Sequence, residues 1–183
     1  MDITMLTNLL KQSDSYNNIY DCECWESLWK SYISEKEKEY CILPVKEAIH
    51  RIISEENFRN KSNFTSCEDS GVNVRVGNIC YVDFGLAYIN EAGYQHFGLI
   101  MSIKHGKALV IPMTSNHNTY LNANLRDHLL PIGLIKGMNR PSVLFLNDAR
   151  FINTARIIDV KAYIPKSSSL FKDIQTKLFN CMM

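Results

Sequence analysis

The residue types able to move protons or hold an anion gather in the second half of the chain. His96 follows Tyr94 and Gln95. An imidazole titrates near pH 6.5 and can give or take a proton near neutrality. The polar stretch TSNHNTY opens with two hydroxyls, Thr114 and Ser115, and carries His117 two residues on. Hydroxyls hydrogen-bond phosphate oxygens, and His117 is a second group able to transfer a proton. Arg150 follows Asn147 and Asp148, and a guanidinium offers its donors in a fixed fork that suits a phosphate. Glu91, just before His96, is a further carboxylate. Lys104, His105 and Lys107 cluster at one point, and Arg126, Lys136 and Arg140 supply more cations for phosphate contacts. Tyr88, Tyr94 and Phe97 can stack on unpaired bases, with Tyr94 beside Gln95 and His96 the best placed. Each residue also has an ordinary structural reading. Thr114 and Ser115 fit a strand-end cap, His117 a solvated loop, and His96 a hydrogen-bonded strand start. Arg150 fits an internal salt bridge, the aromatics a core, and the lysines a solubilising surface.

These residues need a scaffold, and the apolar pattern after residue 70 reads as short strands. NICYVDFGLAYI, FGLIMSI, KALVIPMTS, SVLFLND and IIDVKAYI are rich in Val, Ile, Phe and Tyr and are bounded by Gly, Asn, Pro and Lys. His105-Gly106 between two of them reads as a hairpin turn, because glycine accepts positive φ. Short strands with tight turns predict a small, closed or partly closed antiparallel β-barrel. SSSLFKDIQTKLFN then predicts a serine-capped C-terminal helix with Leu170, Phe171, Ile174 and Leu178 on its apolar face.

Residues 1–60 read as helical. Trp25, Leu28, Trp29, Tyr32 and Ile33 fall on one face of a helix. Pro44 suits the first turn of a second helix, whose apolar stripe is Val45, Ile49, Ile52 and Ile53, with His50 at its solvent side or core edge. An amphipathic stripe needs a partner, so both helices are expected to pack through these faces. The polar segment 60–73 reads as a linker or long loop. The expected division is a helical N-terminal extension over 1–70 and a β-barrel domain over 71–183.

The chain has 183 residues, with 46% hydrophobic and 21% charged residues, which excludes extensive disorder. It shows no apolar run of membrane-spanning length and no secretory signal pattern at MDITMLTNLLKQSD, so a cytoplasmic protein with no membrane association is expected. Its six cysteines contain no CxxC pair and no zinc set, and reduced thiols with no metal are expected. Net charge is +1, but residues 1–70 carry 8 Lys/Arg against 13 Asp/Glu, and residues 71–183 carry 12 against 6. A basic half beside an acidic half points to nucleic acid or an acidic partner for the basic half.

Three segments, in order, resemble the MazF/PemK (Kid-like) toxins: VGNICYVDFG, EAGYQHFGLIMSI followed by KALVIPMTSN, and GMNRPSVLFLNDARFINTARI. Together they span residues 75–160. The resemblance implies a small antiparallel barrel, a homodimer, and the toxin of a type II toxin–antitoxin pair with a cognate antitoxin as partner and DNA binding in its company. It implies endoribonuclease activity on single-stranded RNA with no metal or cofactor. The family's Arg-Pro position is held here by His96-Phe97 and its Thr by Thr114. Asn147 stands where some members have a carboxylate, so the resemblance leaves either Asp148 to replace it or the role moved elsewhere. It therefore implies a catalytic set of His96, Thr114, Arg150 and Asp148. The RNA-contacting set is Tyr94, Gln95, Ser115, His117, Asn147, Lys104 and Lys107. Because the family arginine is absent, the alternative is a non-catalytic toxin of the same fold that binds RNA or inhibits a topoisomerase. The acidic 1–70 segment is read either as a packing or dimerisation element or as a cover that limits access to the basic groove.

Overall fold

The computed structural model describes residues 3–12 and 18–183. The reading of 1–60 as helical also touches residues 1–2 and 13–17, which lie outside the described residues. By contact the chain divides into two units, Met1–Ala48 and Ile49–Met183. In the first, α1 (Ile3–Gln12) and α2 (Trp25–Ile42) are helical, α2 as its apolar periodicity predicts. Leu28 is buried, and the Trp25 and Trp29 rings stack at 5.5 Å on one face of α2. No helix among the described residues is long and apolar enough to cross a membrane.

The second unit holds an antiparallel sheet that has seven strands among the described residues. They are β1 (Asn78–Asp83), β2 (Gln95–Lys104), β3 (Lys107–Thr114), β4 (Leu129–Gly133), β5 (Ser142–Phe145), β6 (Arg150–Asn153) and β7 (Ile157–Tyr163). Their order is β4-β5-β3-β2-β1-β7, with β6 pairing the first half of β3. The antiparallel, mainly β architecture with helices agrees with expectation. The ladder is open: β4 and β7 end it and do not pair, so the sheet is curled rather than closed.

Both faces of the central strands are covered, which is why their apolar runs are continuous instead of alternating. Ile79, Leu99, Ile111 and Leu144 face one core, completed by Phe171, Ile174 and Leu178 of α5 (Ser169–Met182). Cys80, Val82, Ile100 and Val110 face a second core closed by Ile152 and Ile157. The hydroxyl of Ser168 accepts the Phe171 N–H and starts α5, as the serine run predicts. The β2–β3 hairpin turns on His105 (φ 49) and Gly106 (φ 73), the two positive angles that a type I′ turn requires.

β4 and β6 are additional to the predicted strands, and β1 is shorter than predicted. β1 stops at Asp83 because the next residues form a closed loop. Phe84 N–H bonds to the Tyr94 carbonyl at 2.7 Å, and Tyr94 N–H to the Gly85 carbonyl at 2.6 Å.

Residues 49–70, grouped on sequence grounds with the N-terminal extension, lie in the sheet-bearing unit. The reason is the polar face of α3 (Val45–Lys61). Ser54 Oγ donates to Asp83 Oδ1 at 2.7 Å, and the Asn57 amide to Asp83 Oδ2 at 2.6 Å. His50 Nδ1 lies 2.8 Å from Gln95 Oε1. His50, Ser54 and Asn57 recur at helical spacing, so the docking face of α3 is hydrophilic. The predicted apolar stripe is instead largely exposed, with Ile49 at 52% and Ile52 at 50%. The polar segment after α3 is also tied down. Ser66 and Asp69 form a capping box, and Cys67 N–H bonds to Thr154 Oγ1 at 3.0 Å.

Candidate active site

In an antiparallel sheet the start of one strand lies beside the end of its neighbour. The start of β2 therefore lies beside the end of β3, and the start of β4 beside the end of β5, and residues from all four segments line a cavity of about 620 Å³. His96 comes from the start of β2, and Met113 and Thr114 from the end of β3. Arg126, His128 and Leu129 come from the approach to β4, and Phe145, Asn147 and Asp148 from the end of β5 and the turn after it. Asn90, Glu91 and Ala92 of the β1–β2 loop form another wall, and Thr119 of α4 (His117–Asn122) completes it.

His96 and Thr114 each lie one residue beyond the paired Phe97 and Met113, which sets them side by side on one face. His96 is exposed. Thr114 Oγ1 accepts the Asn116 N–H at 3.1 Å. One lone pair is thus engaged while the hydroxyl hydrogen remains available to donate. His128 is fixed by its backbone: its carbonyl accepts the Leu146 N–H at 2.8 Å. Its ring Nδ1 lies 3.4 Å from Asp127 Oδ1, and its side chain is one-third exposed.

Asp148 and Arg150 have a different setting from the expected one. Asp148 Oδ2 accepts the Ala92 N–H at 2.6 Å, and its Oδ1 lies 3.0 Å from Arg150 Nη2. The same Nη2 donates to the Ala92 carbonyl at 2.7 Å. The guanidinium also lies over the Phe84 ring at 5.3 Å. Together the pair holds the Ala92 peptide and fixes the loop that walls the cavity. Asp148 lines the cavity with both oxygens engaged, and Arg150 does not line it.

The other expected RNA contacts scatter, and Asn147 alone among them lines this cavity. Gln95 is buried, not facing solvent, and donates from Nε2 to Ser54 Oγ at 2.8 Å. The Tyr94 hydroxyl accepts from Arg51 Nε at 2.9 Å, and its ring stacks on His50 at 5.9 Å. Both residues therefore serve the α3 contact. Ser115 lines a smaller neighbouring cavity of about 220 Å³ with Arg140 and Lys161, sharing Thr114 and Met113 with the first. His117 is exposed at the start of α4. Lys104 and Lys107 flank the hairpin at the opposite end of β2, roughly 26 Å from His96 at strand rise.

Among the described residues, His128 is the one titratable residue lining this cavity that is absent from the sequence-based candidates. It stands at the switch from polar RDH to apolar LLPIG, and recognising β4 there would have placed it at a strand start beside the end of β5.

No protein-family model and no curated protein sequence matches the chain. Solved structures similar to it include MazF (Form-I) from Deinococcus radiodurans, at 16% identity over 60% of this chain and 96% of that one, with a TM-score of 0.47. The Mycobacterium tuberculosis toxin MazF-mt6 is 14% identical over 57% of this chain and 95% of that one, with a TM-score of 0.43. The MazE–MazF (Form-II) structure from Deinococcus radiodurans is similar at 16% identity over 60% of this chain and 95% of that one, with a TM-score of 0.43.

Proposed function

We propose that this chain is a metal-independent endoribonuclease acting on single-stranded RNA in the cytoplasm, as the toxin of a toxin–antitoxin pair. The observation that carries the reading is the convergence of His96, Thr114, Arg126 and Asn147 on one cavity from four strand ends. RNA brings its own nucleophile, the 2′-hydroxyl, so the protein must supply proton transfer and donors for the charged phosphorane. His96 accepts the 2′-hydroxyl proton. The Thr114 hydroxyl and the Arg126 guanidinium hydrogen-bond the non-bridging oxygens, and Asn147 offers an amide to a base edge. The products are a 2′,3′-cyclic phosphate and a 5′-hydroxyl. A second copy of the chain and an acidic antitoxin are the partners that this reading supplies, the antitoxin-bound form binding DNA.

The test is incubation of the full chain with mixed RNA in EDTA, followed by end mapping. Discrete cuts bearing 5′-hydroxyl ends are expected, with losses of 100-fold or more in His96→Ala as an order-of-magnitude expectation for a lost proton-transfer group. Full activity in both His96→Ala and Thr114→Ala overturns the site. A second reading, a non-catalytic binder of the same fold, is favoured by the engagement of Arg150 within the protein and by the amide at Asn147, which cannot shuttle a proton. Intact RNA together with inhibited DNA supercoiling selects it.

A further inference from the structure

We infer that His128 is the general acid of this site, the group that protonates the leaving 5′-oxygen; this rests on the endoribonuclease reading above. The reaction needs two proton transfers, one from the nucleophile and one to the leaving group. The cavity's titratable lining residues are Glu91, His96, Arg126, His128 and Asp148. An arginine gives up no proton at neutral pH. Asp148 has both oxygens engaged by the Ala92 N–H and Arg150. Glu91 is turned toward Arg150, its Oε2 4.0 Å from Nη1. With His96 assigned to the 2′-hydroxyl, His128 remains.

Its placement suits the role. His96 stands at the start of β2 and His128 at the approach to β4, with β3 and β5 between them in the sheet. Both imidazoles line the same cavity, so one phosphodiester seated there meets a proton acceptor and a proton donor. The Leu146 N–H fixes the His128 backbone to the end of β5. Asp127 lies near Nδ1, which leaves Nε2 as the ring nitrogen for the cavity. The charged groups around His128 are Asp127 beside it, Arg126 on the same segment, and Glu91, His96 and Asp148 across the cavity.

The step balances without an external reagent. The 2′-oxygen forms a bond to phosphorus as its proton passes to His96. The P–O5′ bond breaks as the imidazolium proton of His128 passes to O5′. One imidazole gains the proton that the other loses, and solvent restores both.

The experiment compares ordinary RNA with RNA carrying a bridging 5′-sulfur at the scissile bond, whose thiolate leaves without protonation. His128→Ala and His128→Gln are expected to slow cleavage of ordinary RNA by roughly 100-fold or more while leaving the sulfur substrate near the wild-type rate. His96→Ala is expected to slow both. In the wild type, the alkaline fall of the rate profile is expected with ordinary RNA and absent with the sulfur substrate, because only the former needs a protonated acid. This wild-type comparison does not depend on how well the variants fold. Equal losses on both substrates, wild-type rates in both His128 variants, or an alkaline fall shared by both substrates overturns the assignment and leaves the nuclease reading standing. No cleavage of either substrate by the wild type overturns both.

Discussion

Arg150 and Ala92 lie 58 residues apart and are joined by a 2.7 Å hydrogen bond from the guanidinium Nη2 to the Ala92 carbonyl. Asp148 accepts from the N–H of the same residue, so the Ala92 backbone is held on both sides. The loop between β1 and β2 therefore keeps its shape through two side chains that follow β5. A residue suited to phosphate by chemistry is used here to fix one wall of the cavity.

Arg150→Ala tests that use. Hydrogen bonds to charged groups contribute about 1.5–3 kcal/mol each, and the Arg150 side chain is 30% exposed, which weakens its share. The expected loss is about 1–2 kcal/mol in a urea titration, with faster amide exchange at Ala92. Unchanged stability and exchange, together with a reduced salt dependence of RNA binding, would instead put Arg150 on phosphate.

Asp83 is the corresponding anchor for α3. It is buried and accepts from Ser54 Oγ, the Asn57 amide and the Gly85 N–H. Asp83→Ala leaves these donors without their acceptor, at a cost of about 3 kcal/mol. Exchange protection is expected to fall first over residues 49–61 and only afterwards in the central strands. Protection lost uniformly across the sheet would show that α3 is not held through this carboxylate.

The α3 contact also marks where the sequence stops being informative. Its apolar residues were legible as a stripe, but the helix docks through His50, Ser54 and Asn57. Their partners, Gln95 and Asp83, sit at strand ends and are buried. Nothing in a hydrophobic period reports that two distant polar groups need donors. Where local chemistry decides, sequence and structure agree. Ser168 caps α5, and His105-Gly106 turns the hairpin. β4 was hidden because LLPIG is short and contains Pro and Gly, and with it went the strand context of His128. The strand-end positions of His96 and Thr114 were legible because they adjoin two long apolar strands. The Asp148–Arg150 grip on Ala92 was not, because backbone acceptors carry no sequence signature.

Gly106 tests the hairpin. At φ +73 a side chain is strained, and a Cβ there would stand 2.6 Å from the Thr65 carbonyl oxygen. Gly106→Ala is expected to cost about 2 kcal/mol or more, since a left-handed residue alone costs about 1–2 kcal/mol. His105→Asn is expected to stabilise by a few tenths of a kcal/mol, because asparagine tolerates positive φ better than histidine. Thermal unfolding of both variants checks the opposite signs, and a shift in the same direction would contradict the turn geometry.

Cys80 supplies a pH dependence whose sign follows from burial. It is fully buried in the core between β1 and the strands around it, and burial, with smaller contributions from Cys67 and Asp159, pushes its thiol from 9.0 up to about 12. The folded state therefore keeps this proton at a pH where the unfolded chain has released it. Stability from this group is fully present below about pH 9 and is lost as the pH rises toward 12. Between those limits the group alone lowers stability by about 1.4 kcal/mol per pH unit. Urea titrations between pH 8 and about 10.5 are expected to show this decline in the wild type and a shallower one in Cys80→Ala. The same burial predicts that Cys41 and Cys181, both exposed, react with a thiol reagent in the folded protein long before Cys80 does. Equal slopes in the two proteins, or early labelling of Cys80, would mean that the thiol is not sealed within the sheet.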